Sequence, residues 1–168
     1  MKFNLIITLF FSILLVSCTT DKSSDIKNES AENKSEEKKP KLVFNKPKSK
    51  DLIKPNLEFL KKYNDQYAFD IDLLNIKELR QRMIQLVGEE KFKFIEDLSG
   101  NSPIEIRKNV FSSWHYRGSD ACCNHAIIVI DFNKNLLCVG ICKKLNYSFY
   151  TEDGSSSETL YKWYNHEL

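Results

Sequence analysis

Past residue 16, this chain of 168 residues holds no apolar run long enough to cross a membrane. The later stretches AIIVI and LLCVGI fall far short of the roughly 20 residues a spanning helix needs. Neither sign of charge dominates, since 25 Lys and Arg stand against 23 Asp and Glu, a net of +2. So balanced a chain offers no broad basic face, and no nucleic-acid partner is expected. No segment repeats another, which sets solenoids and propellers aside. Only five glycines are present, with no glycine-rich phosphate cradle among them. No cofactor is expected.

What is present begins with MKFNLIITLFFSILLVSC. Lys2 is followed by an apolar run, residues 3–16, broken only by Asn4, Thr8 and Ser12. It ends in Leu15-Val16-Ser17-Cys18, the layout of an export signal. That ending resembles a bacterial lipobox, which implies that residues 1–18 are a lipoprotein signal peptide with Cys18 lipidated on its thiol. One acyl chain binds a membrane only marginally, whereas two or three hold firmly. The expected location is therefore the bacterial cell envelope, anchored in the membrane through the Cys18 lipid. Thr19 rather than Asp after the cysteine favours the outer membrane.

Residues 19–50 change to Asp, Lys, Ser, Glu and Asn. Nine lysines there face six acids, a net of +3, whereas residues 51–168 hold fifteen Lys and Arg against seventeen acids. So polar a segment cannot bury enough apolar surface to offset chain entropy, and it is expected to be a disordered charged tether. Residues 51–168 are the right size for a single domain with its own core.

Within that domain, Leu73, Ile76, Leu79, Met83 and Leu86 recur at helical spacing, which predicts a helix over 72–87 closed by Gly88. A shorter helix is expected over 89–98, with Phe92, Ile95 and Leu98 on one side, and another over 55–63. After Pro103 the period becomes two. Residues 104–106, 110–116, 126–131, 136–143 and 147–151 read as strands, with DFNKN as a hairpin turn. Ser155 with Glu158 fits a capping box for a last helix packed through Leu160, Trp163 and Tyr164. The expected class is α+β: N-terminal helices, an antiparallel meander of about five strands, and a C-terminal helix.

Besides Cys18 there are Cys122, Cys123, Cys138 and Cys142, an even set on an exported chain, so disulfides are expected. A short turn after Asp131 pairs residues whose numbers sum to 267. His125 then faces Cys142, and Cys123, Cys138 and Cys142 share one sheet face. Cys138 and Cys142 lie roughly 13 Å apart along a strand, too far to bridge. Cys123–Cys142, a diagonal across the hairpin, is the favoured pairing, and Cys122–Cys138 is awkward because Cys122 points to the other face. The same separation opposes a tetrahedral zinc site drawn from CCNH and CVGIC. No metal site is assigned. A thiol nucleophile would need His115 or His125 beside it, oriented by Asp120 or Asn124. Without a matching signature, no catalytic residue is assigned either.

The stretch WHYRGSDACCNH remains. Trp114, His115, Tyr116 and Arg117 are residue types enriched at protein interfaces. They lead into Gly118-Ser119-Asp120, a turn-prone centre, and then to His125. Residues 114–125 are therefore read as a partner-binding loop.

SDACCNHAIIVID, with helices before it and the DFNKN hairpin after it, resembles the periplasmic inhibitors of vertebrate lysozyme. In that family a strand enters a Cys-Lys-Pro-His-Asp-Cys loop, and an apolar strand begins a few residues after the second Cys. Here Cys122 takes the second Cys position and Ile127 opens the strand. Arg117 stands at the first Cys position and Asp120 at the histidine position. The family's loop plugs the lysozyme cleft, its histidine bonding to the catalytic carboxylates. The resemblance thus implies a lysozyme or similar wall hydrolase as partner, with Arg117 as the cation able to substitute for that histidine. Two other readings stand beside this one: a structural or assembly lipoprotein without inhibitory activity, and a thiol or zinc enzyme.

Overall fold

Seven strands form one mixed sheet in the computed structural model, which describes residues 42–47 and 54–168. Cys18, the expected export signal and most of the expected tether lie outside the described residues. In chain order the elements are β1 (Phe44–Asn45), α1 (Lys77–Val87), α2 (Glu89–Glu96), β2 (Gly100–Asn101), β3 (Glu105–Arg107) and β4 (Val110–Tyr116). They continue through β5 (Asn124–Asp131), β6 (Leu136–Lys143), β7 (Asn146–Thr151) and α3 (Glu158–Tyr164). No described helix is long and apolar enough to cross a membrane.

The chain is α+β. The five expected strands are β3 to β7, each antiparallel to the next. Two short strands flank them: β2 pairs with β4, and β1 lies parallel to β7. Strand β1 falls within the segment expected to be tether. Leu42 and Phe44 pack against the second hydrophobic cluster, and Asn45 Nδ2 donates to the Phe149 carbonyl at 2.9 Å. The folded body thus takes in residues before 51. Two apolar side chains at strand spacing outweigh the polar composition around them.

The meander register follows the turn. Asn124 faces Lys143, His125 faces Cys142 and Asp131 faces Leu136. Asp131 Oδ1 accepts from the backbone of Asn133 and Lys134 at 3.0 and 3.2 Å, and Asn135 takes the left-handed φ of 45° that closes the hairpin. Even-numbered β5 residues Ala126, Ile128 and Ile130 face one cluster with α1 and α2, while Ile127 and Val129 face the other with α3. Each large apolar side chain so buried is worth about 1.5–3 kcal/mol. Both faces of the central strands are covered, which explains their near-continuous apolar sequence. Gly140 permits the α3 layer, because a Cβ there would lie 2.6 Å from Trp163 Cζ3.

The helical half departs from expectation in detail. Residues 72–87 are not one helix: a 3₁₀ turn, Leu73–Asn75, precedes α1, because Asp72 adopts a left-handed φ of 51° and Ile76 is extended. Leu73 and Ile76 still pack inward, so the apolar spacing runs through a break it cannot register. The short helix near 55–63 is a 3₁₀ helix, Glu58–Tyr63. The cap of α3 is Ser157, whose hydroxyl accepts from the Leu160 backbone, rather than Ser155.

Arg82 was not marked by the spacing, yet it is 1% exposed. Its Nε and Nη2 donate to the two Glu152 carboxylate oxygens at 2.9 and 2.6 Å. Nη1 donates to the Pro55 carbonyl and to Asn135 Oδ1, and Nη2 to the Asn135 carbonyl. Leu137 N–H also donates to Glu152, at 3.0 Å, and Lys54 Nζ lies 3.7 Å from the same carboxylate oxygen. One guanidinium thereby ties α1 to the hairpin, to the chain past β7 and to the segment before the first 3₁₀ helix.

Candidate functional site

The alternation of β4 decides which residues of the Trp114–Arg117 run reach the surface. Trp114 pairs with Ile127 and Tyr116 with His125, so both lie on the α3 face. Trp114 is 39% exposed and its ring centroid is 5.7 Å from that of Tyr116. His115 pairs with Ala126 and points to the opposite face, where it is fully buried. Its Nε2 lies 3.1 Å from Ser113 Oγ, and burial pulls its pKa down to about 4. His115 therefore leaves the expected binding set. A period of two requires this, since neighbours on a strand cannot share a face.

Arg117 follows the end of β4. Its backbone N–H donates to the Asn124 carbonyl at 3.0 Å, which closes the root of the loop. Beyond it, Gly118–Asp120 form a 3₁₀ turn. Arg117, Gly118 and Ser119 are exposed, and the guanidinium has no acceptor among the described residues. The root of the loop therefore presents an exposed cation that has no partner among the described residues.

His125 is buried at the start of β5. Trp114 Nε1 donates to its Nδ1 at 3.3 Å. Its ring packs edge-on against Trp163 and Tyr147, with centroids 4.9 and 5.9 Å away. Burial, with the nearby His166, lowers its pKa. The residue expected at the loop's edge is thus the hinge of an aromatic cluster that joins β4, β7 and α3.

Cys138 and Cys142 share one face as expected, whereas Cys122 and Cys123 precede β5 and are not divided between the faces, and no disulfide joins the four. Cys138 and Cys142 are buried on the α3 face. The Cys142 thiol lies 3.8 Å from the Cys123 carbonyl oxygen, and the sulfurs of Cys122 and Cys123 are 2.9 Å apart. The expected Cys123–Cys142 bridge is not formed. Cys123 precedes the first β5 residue, so the ladder does not hold it in the pleat, and it presents its carbonyl to Cys142. Burial raises the thiol of Cys138 to about 12 and that of Cys142 in the same direction. Among the described residues no three His, Cys, Asp or Glu side chains converge on a metal position.

A cleft of about 290 Å³ opens on the α3 face beside the loop. Ser102, Glu105, Ser112, Trp114, His125 and Trp163 line it, with His166 at its margin. Sequence spacing did not reveal it. The parity that puts Ser112, Trp114, His125 and Ile127 on one face was readable, but the approach of α3 and of the segment before β3 was not. Protein-family models, curated protein sequences and solved structures give no significant match to this chain.

Proposed function

We propose that this chain is a lipid-anchored protein of the bacterial envelope, held in the outer membrane through Cys18, whose domain recognises another protein with the end of the β4–β5 hairpin. The observation that carries this reading is Arg117. Its side chain is exposed and has no partner among the described residues, and it follows Trp114 and Tyr116 in the chain, on a loop whose root is closed by backbone bonding. Aromatic and Arg side chains together are the usual anchors of protein interfaces.

A lysozyme-like wall hydrolase is the partner whose chemistry fits. Glycoside hydrolases carry paired carboxylates in their clefts, and a guanidinium can pair with both oxygens of a carboxylate. The likeness of 119–131 to the periplasmic lysozyme inhibitors supports the same choice. Arg117 at the family's first Cys position then takes the cationic role, and Asp120 at the histidine position takes none.

The test is a panel of muramidases assayed for wall lysis with the full chain present, beside fractionation of wild type and Cys18→Ser. Inhibition of at least one enzyme and loss of membrane association on Cys18→Ser are expected. If every muramidase keeps its activity, the domain belongs instead to the structural or assembly class of envelope lipoproteins.

A further inference from the structure

We propose that Cys122 and Cys123 form a thiol–disulfide exchange site, which takes a disulfide as its oxidant and, once closed, a thiol as its reductant. This inference does not depend on Arg117 or on a partner for the loop.

The placement of the two sulfurs carries it. On an extended strand, neighbouring side chains point to opposite faces, and adjacent sulfurs would be held apart. Cys122 and Cys123 instead lie in the turn that precedes β5. Their sulfurs meet at 2.9 Å, against roughly 2.05 Å in a formed bond. A small rotation of the side chains therefore closes the ring. The Cys123 carbonyl accepts the Leu145 N–H at 3.4 Å and the Cys142 thiol at 3.8 Å. Its backbone is thus held from the β6 side while its sulfur turns to Cys122. Cys122 is exposed and Cys123 half-buried, so a reagent from solution meets Cys122 first. The other two thiols do not compete. Cys138 and Cys142 are buried, and Cys142 is directed at the carbonyl of Cys123.

The roles follow from that order. The Cys122 thiolate attacks one sulfur of an oxidant RSSR, forming a Cys122–S–S–R bond and expelling RS⁻. The Cys123 thiolate then attacks the Cys122 sulfur, expels the second RS⁻ and leaves the Cys122–Cys123 bond. Two electrons pass to the oxidant, and the two thiol protons end on the released thiols. Adjacent Cα atoms lie about 3.8 Å apart across a trans peptide, below the roughly 4.4 Å at which ordinary disulfides begin. The ring is therefore strained, and strained or exposed bridges are the ones that thiols reopen easily. A site of this kind exchanges electrons and does not staple the fold.

The experiment equilibrates the reduced full chain in buffers of increasing glutathione disulfide to glutathione ratio, quenches with acid and counts thiols by alkylation and mass. The expected result is the loss of two thiols together, both mapped to Cys122 and Cys123 by tandem mass spectrometry, and their return when the ratio is reversed. Cys122→Ser and Cys123→Ser should each stop at a single glutathione adduct, whereas Cys142→Ala should keep the loss of two. Mapping on the wild-type chain decides the matter even where a variant fails to fold. Retention of both thiols in glutathione disulfide alone would overturn the proposal. So would a bridge mapped to Cys138, to Cys142 or to a second chain, or a pair that excess glutathione cannot reopen.

Discussion

Arg82 and Glu152 form a bidentate ion pair inside the protein, with N–O distances of 2.9 and 2.6 Å and both side chains almost fully buried. Every oxygen of the carboxylate and every polar nitrogen of the guanidinium is engaged. Such a pair is worth little relative to well-packed apolar residues, but breaking it strands a buried charge.

Arg82→Leu should therefore lower unfolding stability by about 3–5 kcal/mol, and Glu152→Leu by a similar amount. The double variant should lose much less than the sum, because neither charge is then left alone. Urea unfolding of the four proteins checks this. Additive losses would mean that the pair is not coupled.

That pair also shows where the sequence stops being legible. Arg82 lies between Leu79 and Met83 on α1, and helical spacing assigns it no burial, because its partner is 70 residues away. The meander, by contrast, could be read almost to the residue, since strand alternation and the DFNKN turn are local signals. The site divides in the same way. Parity separates Trp114 from His115, but the contact of His125 with Trp163 depends on how α3 docks, which no local pattern encodes.

The edge strand gives a second test. Phe44 lies 5.8 Å from Phe149 and 5.9 Å from Tyr161, centroid to centroid, across a parallel pairing. Phe44→Ala should cost about 1–3 kcal/mol, less than a fully buried phenylalanine would. A chain beginning at Asp51 should melt below one that keeps residues 42–47. Equal melting temperatures would show that the strand is dispensable.

His115 should make the fold acid-sensitive. Its pKa falls from 6.5 to about 4 on burial. Between those values the unfolded chain binds a proton that the native chain does not, so stability rises with pH through the window and falls on acidification. About 3 kcal/mol should be lost from neutral pH to about pH 4 through this residue. His125, whose pKa is lowered as well, acts in the same direction. Unfolding measured across that range should be flatter for His115→Gln, and an unchanged slope would contradict the burial argument.

The thiols offer a further check. Burial keeps Cys138 and Cys142 protonated at neutral pH, so a maleimide should modify neither in the native protein and both in denaturant. Cys122, which is exposed, should react first. If Cys142 resists labelling in denaturant until a reductant is added, the bridge to Cys123 forms after all.

The central claim is that Arg117 anchors a partner. Calorimetric titration of the full chain and of Arg117→Ala into a lysozyme-type hydrolase tests it most directly. Loss of a charged hydrogen-bonding partner from a buried interface costs on the order of 2–5 kcal/mol, so the variant should bind at least roughly thirtyfold more weakly. Its melting temperature should not change, because the exposed guanidinium has no partner within the described domain. Binding of equal strength by both proteins, or binding by neither, would contradict the account.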